Sequence, residues 1–133
     1  MIISESKVRV LYAHTDKMGI VNNSRYLEYF ELGRTDLLRS IGYIYKNMEA
    51  DNIALPLIEA NCKYIFPAYY DDVIVIKSSL KKMPSVKIKI DYELYVDERK
   101  IAEGFTVHSF VDFKKLKPVR PPQKLLKLLE GKL

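Results

Sequence analysis

The sequence predicts an α+β domain in which an antiparallel β-sheet wraps around one long central helix. Three observations predict it: an apolar stripe at helical spacing from Tyr26 to Ile41, four strand-like runs after residue 56, and one strand-like run ahead of the helix. With 133 residues and 48% hydrophobic content the chain has the size and composition of one soluble domain, expected to span 1–133.

Each element has its own reason. In Lys7–His14 the residues Val8, Val10 and Tyr12 alternate as in a half-buried strand. After Val21 the period changes: Tyr26, Phe30, Gly33, Leu37 and Ile41 fall on one helical stripe, which Tyr29 and Leu38 widen. Asn22, Asn23 or Ser24 can cap its start and Gly42 suits its exit. Gly33 costs roughly 1 kcal/mol against alanine in a helix, so its use there is close approach to whatever covers the helix. Strands are expected over Leu57–Phe66, Asp72–Leu80, Val86–Val96 and Lys100–Phe113. The third alternates most cleanly, with Val86, Ile88, Ile90, Tyr92, Leu94 and Val96 on one side and Lys87, Lys89, Asp91 and Glu93 on the other. Val73–Ile76 is apolar on both faces, which suggests a strand covered on its outer side by another subunit. Pro121-Pro122 ends the pattern, and Gln123–Leu129 reads as a short terminal helix. This order fits a hot-dog arrangement; pattern alone fits a cystatin-like or cone-shaped α+β fold as well.

Charge is uneven. Residues 1–80 hold 9 Lys and Arg against 10 Asp and Glu, and residues 81–133 hold 13 against 7. Lys114, Lys115, Lys117, Arg120, Lys124 and Lys127 form a run without an acid, suited either to a phosphate-bearing ligand or to a solvated face. The net charge of +5 raises nucleic acid as a partner, but the aromatic and basic interleaving that stacks bases is missing, so none is expected. No apolar run approaches the roughly 18 residues of a membrane helix and no signal-peptide pattern opens the chain, so no membrane contact and a cytoplasmic location are expected. The lone Cys62 and two distant histidines make no metal-ligand pattern, and Cys62 fits a buried strand thiol better than a nucleophile. His14 reads as a structural residue and His108 as a sheet-surface one.

The stretch Asp16-Lys17-Met18-Gly19-Ile20-Val21-Asn22-Asn23-Ser24-Arg25-Tyr26 sets a carboxylate and a glycine turn just before the helix. A carboxylate can attack a carbonyl or activate water, while unpaired N–H groups at a helix start favour a developing oxyanion. Asp before Gly also serves simply to hold a turn.

The segment Tyr12–Thr35, with its Thr-Asp, Gly-Ile-Val and Tyr-Leu-Glu-Tyr-Phe-Glu, resembles the 4-hydroxybenzoyl-CoA thioesterase family of hot-dog acyl-CoA thioesterases. The resemblance continues through Pro67–Asp72, Ala102-Glu103-Gly104 and Lys117–Pro121. It implies that Asp16 is the catalytic carboxylate, as nucleophile or as general base, and that the Asn23 backbone N–H polarises the thioester carbonyl, with Gly19 letting the loop approach the substrate. Many relatives have Tyr then His where this chain has Asn22 then Asn23. The Val-Asn-Asn sequence also occurs in related acyl carrier protein thioesterases, so the carrier, CoA or acyl carrier protein, stays open, as does a binding protein without turnover. Asn22 can cap the helix or orient a water. Tyr26 is a candidate substrate contact, Glu59 a polar group on a strand beside the helix, and Lys114, Lys115, Lys117 and Arg120 candidates for the CoA phosphates. The resemblance further implies hydrolysis without a metal or cofactor, CoA entering only as part of the substrate, and a homodimer or dimer of dimers with the site between subunits.

Overall fold

Helix α1 (Arg25–Ser40) is built on the stripe: Tyr26, Tyr29, Phe30, Gly33, Leu37 and Leu38 are all buried, and Ile41 closes the row just past the last turn. Gly42 then leaves the helix at φ +89°, left-handed backbone that glycine adopts without a Cβ penalty. A computed structural model describes Met1–Leu133 throughout, and no helix in it is long and apolar enough to cross a membrane.

Around α1 curls a five-stranded, wholly antiparallel sheet. Its strands are β1 (Ile2–Arg9), β3 (Leu57–Tyr64), β4 (Val73–Leu80), β5 (Lys87–Val96) and β6 (Arg99–Ser109), in the order β1-β4-β5-β6-β3. The helix packs chiefly on β1 and β4. Phe30 stacks on Tyr92 with ring centroids 4.3 Å apart, and Ile74, Ile76, Ile88, Ile90 and Leu94 complete the core beneath it. Gly33 lies so close to β4 that an added Cβ would stand 2.2 Å from Ser78 Oγ and 2.8 Å from Ile76 Cγ2. The apolar double face of Val73–Ile76 divides accordingly: Ile74 and Ile76 are buried under α1, while Val73 and Val75 are half-buried on the outer face.

The remaining elements are α2 (Tyr45–Ala50), a two-stranded ladder of β2 (Ile53–Ala54) with β7 (Val111–Asp112), and α3 (Gln123–Leu129). Three expectations are corrected. The first strand is β1, not Lys7–His14: its partner β4 begins only at Val73, opposite Arg9, so the chain leaves the sheet and makes a 3-10 turn at Tyr12–His14 with Tyr12 exposed. The last expected strand breaks at Phe110, whose ring is buried and whose N–H donates to the Val86 carbonyl, and β7 pairs with β2 instead. His108 belongs to the inner face of β6 and is buried, not at the sheet surface.

The sheet has two edges, β1 and β3. Along β3 nearly every residue is exposed, including the apolar Leu57, Ile58 and Tyr64.

Candidate active site

Residues 14–22 form a small ladder ahead of α1. Asp16 N–H donates to the Ile20 carbonyl, Asn22 N–H to the His14 carbonyl, and Thr15 stands opposite Val21. The turn between them needs Gly19 at φ +79°, with open space where its side chain would be. Within it Asp16 Oδ1 accepts the Met18 N–H at 2.8 Å and the Ile20 N–H at 3.4 Å, while Oδ2 has no protein partner. Asp16 therefore holds its turn with one oxygen and presents the other to solvent. Bonds from Val21 N–H to the Ala68 carbonyl and the Ile20–Tyr69 bridge fix the ladder to the segment after β3.

The helix start follows directly. Asn22 Oδ1 accepts both the Ser24 N–H at 3.0 Å and the Ser24 hydroxyl at 2.9 Å, an Asx turn that leads into α1, whose N-cap residue Ser24 makes no side-chain cap bond of its own. The Arg25 N–H goes to the Asn22 carbonyl and the Tyr26 N–H to the Asn23 carbonyl. That leaves the Asn23 N–H without an acceptor, at the positive end of a 16-residue helix. The Tyr64 hydroxyl donates to the Asn23 carbonyl at 3.2 Å, which ties the helix start to the end of β3.

Beside this amide opens a cleft of about 240 Å³ lined by Ile20, Val21, Asn23, Tyr26, Tyr64, Ile65, Phe66 and Pro67. Tyr26 sits edge-on to Tyr64 and to Tyr29, with centroids 4.9 Å and 5.8 Å apart. Burial pushes the Tyr26 and Tyr29 phenols up to about 12, so both stay neutral. Half-burial likewise raises the Cys62 thiol, which keeps it protonated and unreactive. His14 is occupied structurally: its Nδ1 lies 3.1 Å from the Tyr29 hydroxyl and 3.3 Å from the Leu11 amide.

The structure thus brings Asp16, Gly19, Asn22, Asn23 and Tyr26 into one neighbourhood. It does not bring the others there. A bulge between Leu57 and Glu59 sets Glu59 opposite Val107, on the outer face with Asn61 and Lys63, whereas Ala60, Cys62 and Tyr64 face the helix side. Lys114, Lys115, Lys117 and Arg120 follow β7 in an exposed turn pinned by Asp112, whose Oδ1 accepts the Lys114 and Lys115 amides. They lie past the Ser109 end of β6, while Tyr64 and the helix start are level with Ala102. Seven residues of strand separate the two ends, roughly 23 Å at 3.3 Å per residue. The sequence reads Ile65 and Phe66 only as the end of the strand Leu57–Phe66; β3 stops at Tyr64, and the irregular segment Ile65-Phe66-Pro67 after it walls the cleft.

Comparison with known proteins agrees with this architecture. A family model described as "Thioesterase-like superfamily" matches residues 10–129. The putative acyl-CoA thioesterase YneP of Bacillus subtilis is 30% identical over 121 residues, covering 90% of this chain and 88% of YneP. The crystal structure of a hypothetical protein from Aquifex aeolicus superposes with a TM-score of 0.88 at 31% identity, covering 96% of this chain and 99% of that one. The DHNA-CoA thioesterase of Staphylococcus aureus superposes at 0.86 with 27% identity, covering 90% and 81%. A long helix cradled in an antiparallel sheet, a motif-bearing turn at its start and a match from residue 10 to residue 129 together mean that the chain belongs to the thioesterase-like superfamily and has its hot-dog fold.

Proposed function

We propose that the protein hydrolyses the thioester of an acyl-CoA to the free acid and CoA. The observation that carries this reading is the unpaired Asn23 N–H at the start of α1, opening on an apolar cleft and preceded by a turn that leaves Asp16 Oδ2 free. The thioester carbonyl oxygen points at the Asn23 N–H, which stabilises negative charge as the carbonyl carbon is attacked. Asp16 Oδ2 either attacks that carbon itself, forming an acyl–Asp16 anhydride that water then hydrolyses to the free acid and the regenerated carboxylate, or takes a proton from the attacking water; in both routes the carbonyl–sulfur bond breaks and the CoA thiolate leaves. Asn22 is a positioning residue that fixes the direction of the Asn23 amide. Gly19 keeps the turn open, and Tyr26 lines the acyl cleft. Water and thioester suffice for the reaction, without metal or cofactor. The names of YneP and of the Staphylococcus aureus enzyme support an acyl-CoA as the substrate class.

The exposed apolar edge β3 supports a homodimer joined edge to edge there. Antiparallel pairing of two β3 strands sets the Leu57 end of one beside the Tyr64 end of the other. The partner subunit's Lys114, Lys115, Lys117 and Arg120 would then stand at the same end as this subunit's helix start, placed to receive CoA phosphates. Back-to-back contact through Val73 and Val75 would give a dimer of dimers. Glu59, near the pairing edge, has a part here only through the partner.

Free-thiol release from a panel of short, medium, long and aromatic acyl-CoAs, with acyl carrier protein thioesters alongside, tests the reading. Native protein is expected to turn over at least one thioester, and Asp16→Asn to lose roughly a hundredfold or more while keeping its fold. Full activity in Asp16→Asn would remove Asp16 from the mechanism. Binding of CoA without hydrolysis of any thioester would make this a binding protein.

A further inference from the structure

Just ahead of the motif ladder the chain makes its 3-10 turn at Tyr12–His14, and the His14 ring folds back over that turn. Its Nδ1 faces two donors, the Leu11 N–H at 3.3 Å and the Tyr29 hydroxyl at 3.1 Å. A backbone N–H can only donate, so Nδ1 is the bare nitrogen, the Tyr29 hydroxyl donates to it as well, and the ring proton is on Nε2. One lone pair serves both donors, in keeping with the length of both bonds. The main chain of the same residue is engaged on both sides: its N–H donates to the Leu11 carbonyl at 2.9 Å, and its carbonyl accepts the Asn22 N–H at 2.9 Å. Tyr29 stands one turn inside α1, buried, with its ring edge-on to that of His14. The other side-chain bond from α1 to this turn, Arg25 Nη2 to the Ala13 carbonyl, is 3.4 Å long and comes from a guanidinium already shared with Glu28.

We propose that His14 and Tyr29 are the positioning pair of the site, the clamp that sets the arm carrying Asp16 against the helix start carrying the open Asn23 amide. Asp16 follows His14 closely on one arm of the ladder, whereas Asn22, bonded to the His14 carbonyl, lies on the other arm and immediately precedes Asn23. The attacking group and the oxyanion donor therefore come from different arms, and His14 is the point at which both arms are tied to the rigid helix. A shift there is passed to both at once, and a misplacement of about 1 Å in such a constellation costs on the order of a hundredfold in rate. Neither side chain lines the acyl cleft, so the pair acts on placement and not on substrate binding. The effect on rate rests on the thioesterase reading; the clamp itself does not.

The test is amide hydrogen exchange by NMR, together with steady-state kinetics on an acyl-CoA that the native protein turns over, in Tyr29→Phe, His14→Ala and His14→Asn. Tyr29→Phe removes one oxygen from a buried ring and keeps the fold, and His14→Asn keeps an acceptor oxygen close to the place of Nδ1. Tyr29→Phe and His14→Ala are expected to speed exchange at the Asp16 and Asn22 amides roughly tenfold while the β5 amides keep their rates, and to lower kcat roughly ten- to a hundredfold with KM unchanged. His14→Asn is expected to recover most of both losses. A purely structural role would lower Tm and leave the kcat of the folded variants at the native level. The proposal is overturned if Tyr29→Phe and His14→Ala keep native exchange at Asp16 and Asn22, if they keep native kcat, or if His14→Asn behaves like His14→Ala. A native protein inert toward every thioester would overturn the thioesterase reading instead, and the clamp would still stand or fall on the exchange.

Discussion

His108 shows how a single residue can be wrong for its surroundings in composition and right in bonding. Its ring is buried, and the leucine carbonyl at Nδ1 can only accept, so Nδ1 carries the proton and Nε2 receives the Thr106 hydroxyl. Neutral imidazole satisfies every bond in the chain from Tyr92 to Leu55. Burial, and then the nearby Arg34 charge, lower its pKa below the ordinary 6.5. The unfolded chain therefore takes up a proton at a higher pH than the native one. The stability this confers is complete above about pH 6.5 and is lost as pH falls through the lower native value. Urea midpoints should drop between pH 7 and pH 5.5 in the native protein, and the drop should be shallower in His108→Gln; parallel curves would show that other groups are responsible. Alternation in the sequence could not place His108, because Val107 and His108 both sit in a run that reads equally well with either face inward.

At the scale of elements, the helix was the most legible part of the chain and the short pieces the least. The stripe from Tyr26 to Ile41 covers more than four turns and has one possible face, and that face is the buried one. Gly33 was readable as a point of close approach, and Ser78 Oγ is what approaches. Gly33→Ala gains about 1 kcal/mol in helix propensity but forces β4 and α1 apart, an overpacking cost of about 1–3 kcal/mol, so a net loss of up to roughly 2 kcal/mol is expected. Ser78 Oγ is buried without a hydrogen-bond partner. Ser78→Ala should accordingly recover part of the loss in the double variant; simple additivity of the two changes would mean they do not meet. By contrast α2 has six residues and β2 two, too few to show a period, and β1 was misplaced because residues 7–14 continue to alternate after their partner strand has ended.

Considered whole, the molecule leaves one edge of its sheet open. Four of its five strands have the flanking partners or side chains that keep an edge harmless, but β3 presents eight residues of open ladder with exposed leucine, isoleucine and tyrosine. Light scattering at micromolar concentration should give a dimer or larger, and Ala60→Pro, which interrupts the β3 ladder, should weaken association and activity together; a native monomer would end that expectation. The candidate site was partly legible at this scale too. Asp16, Gly19, Asn22 and Asn23 could be read because they fall within one short segment of sequence and stay together in space. Glu59 and the Lys114–Arg120 run could not be placed, because the bulge in β3 and the length of β6 decide where they stand, and neither leaves a trace in composition.

The open amide at the start of α1 belongs to the main chain, and so no ordinary substitution of Asn23 can delete it. Proline alone would remove the hydrogen. Asn23 also lines the cleft. In the mechanism proposed above, polarising power and guest selection therefore rest on separate parts of one residue, and an exchange of the Asn23 side chain is expected to alter acyl preference without removing the amide.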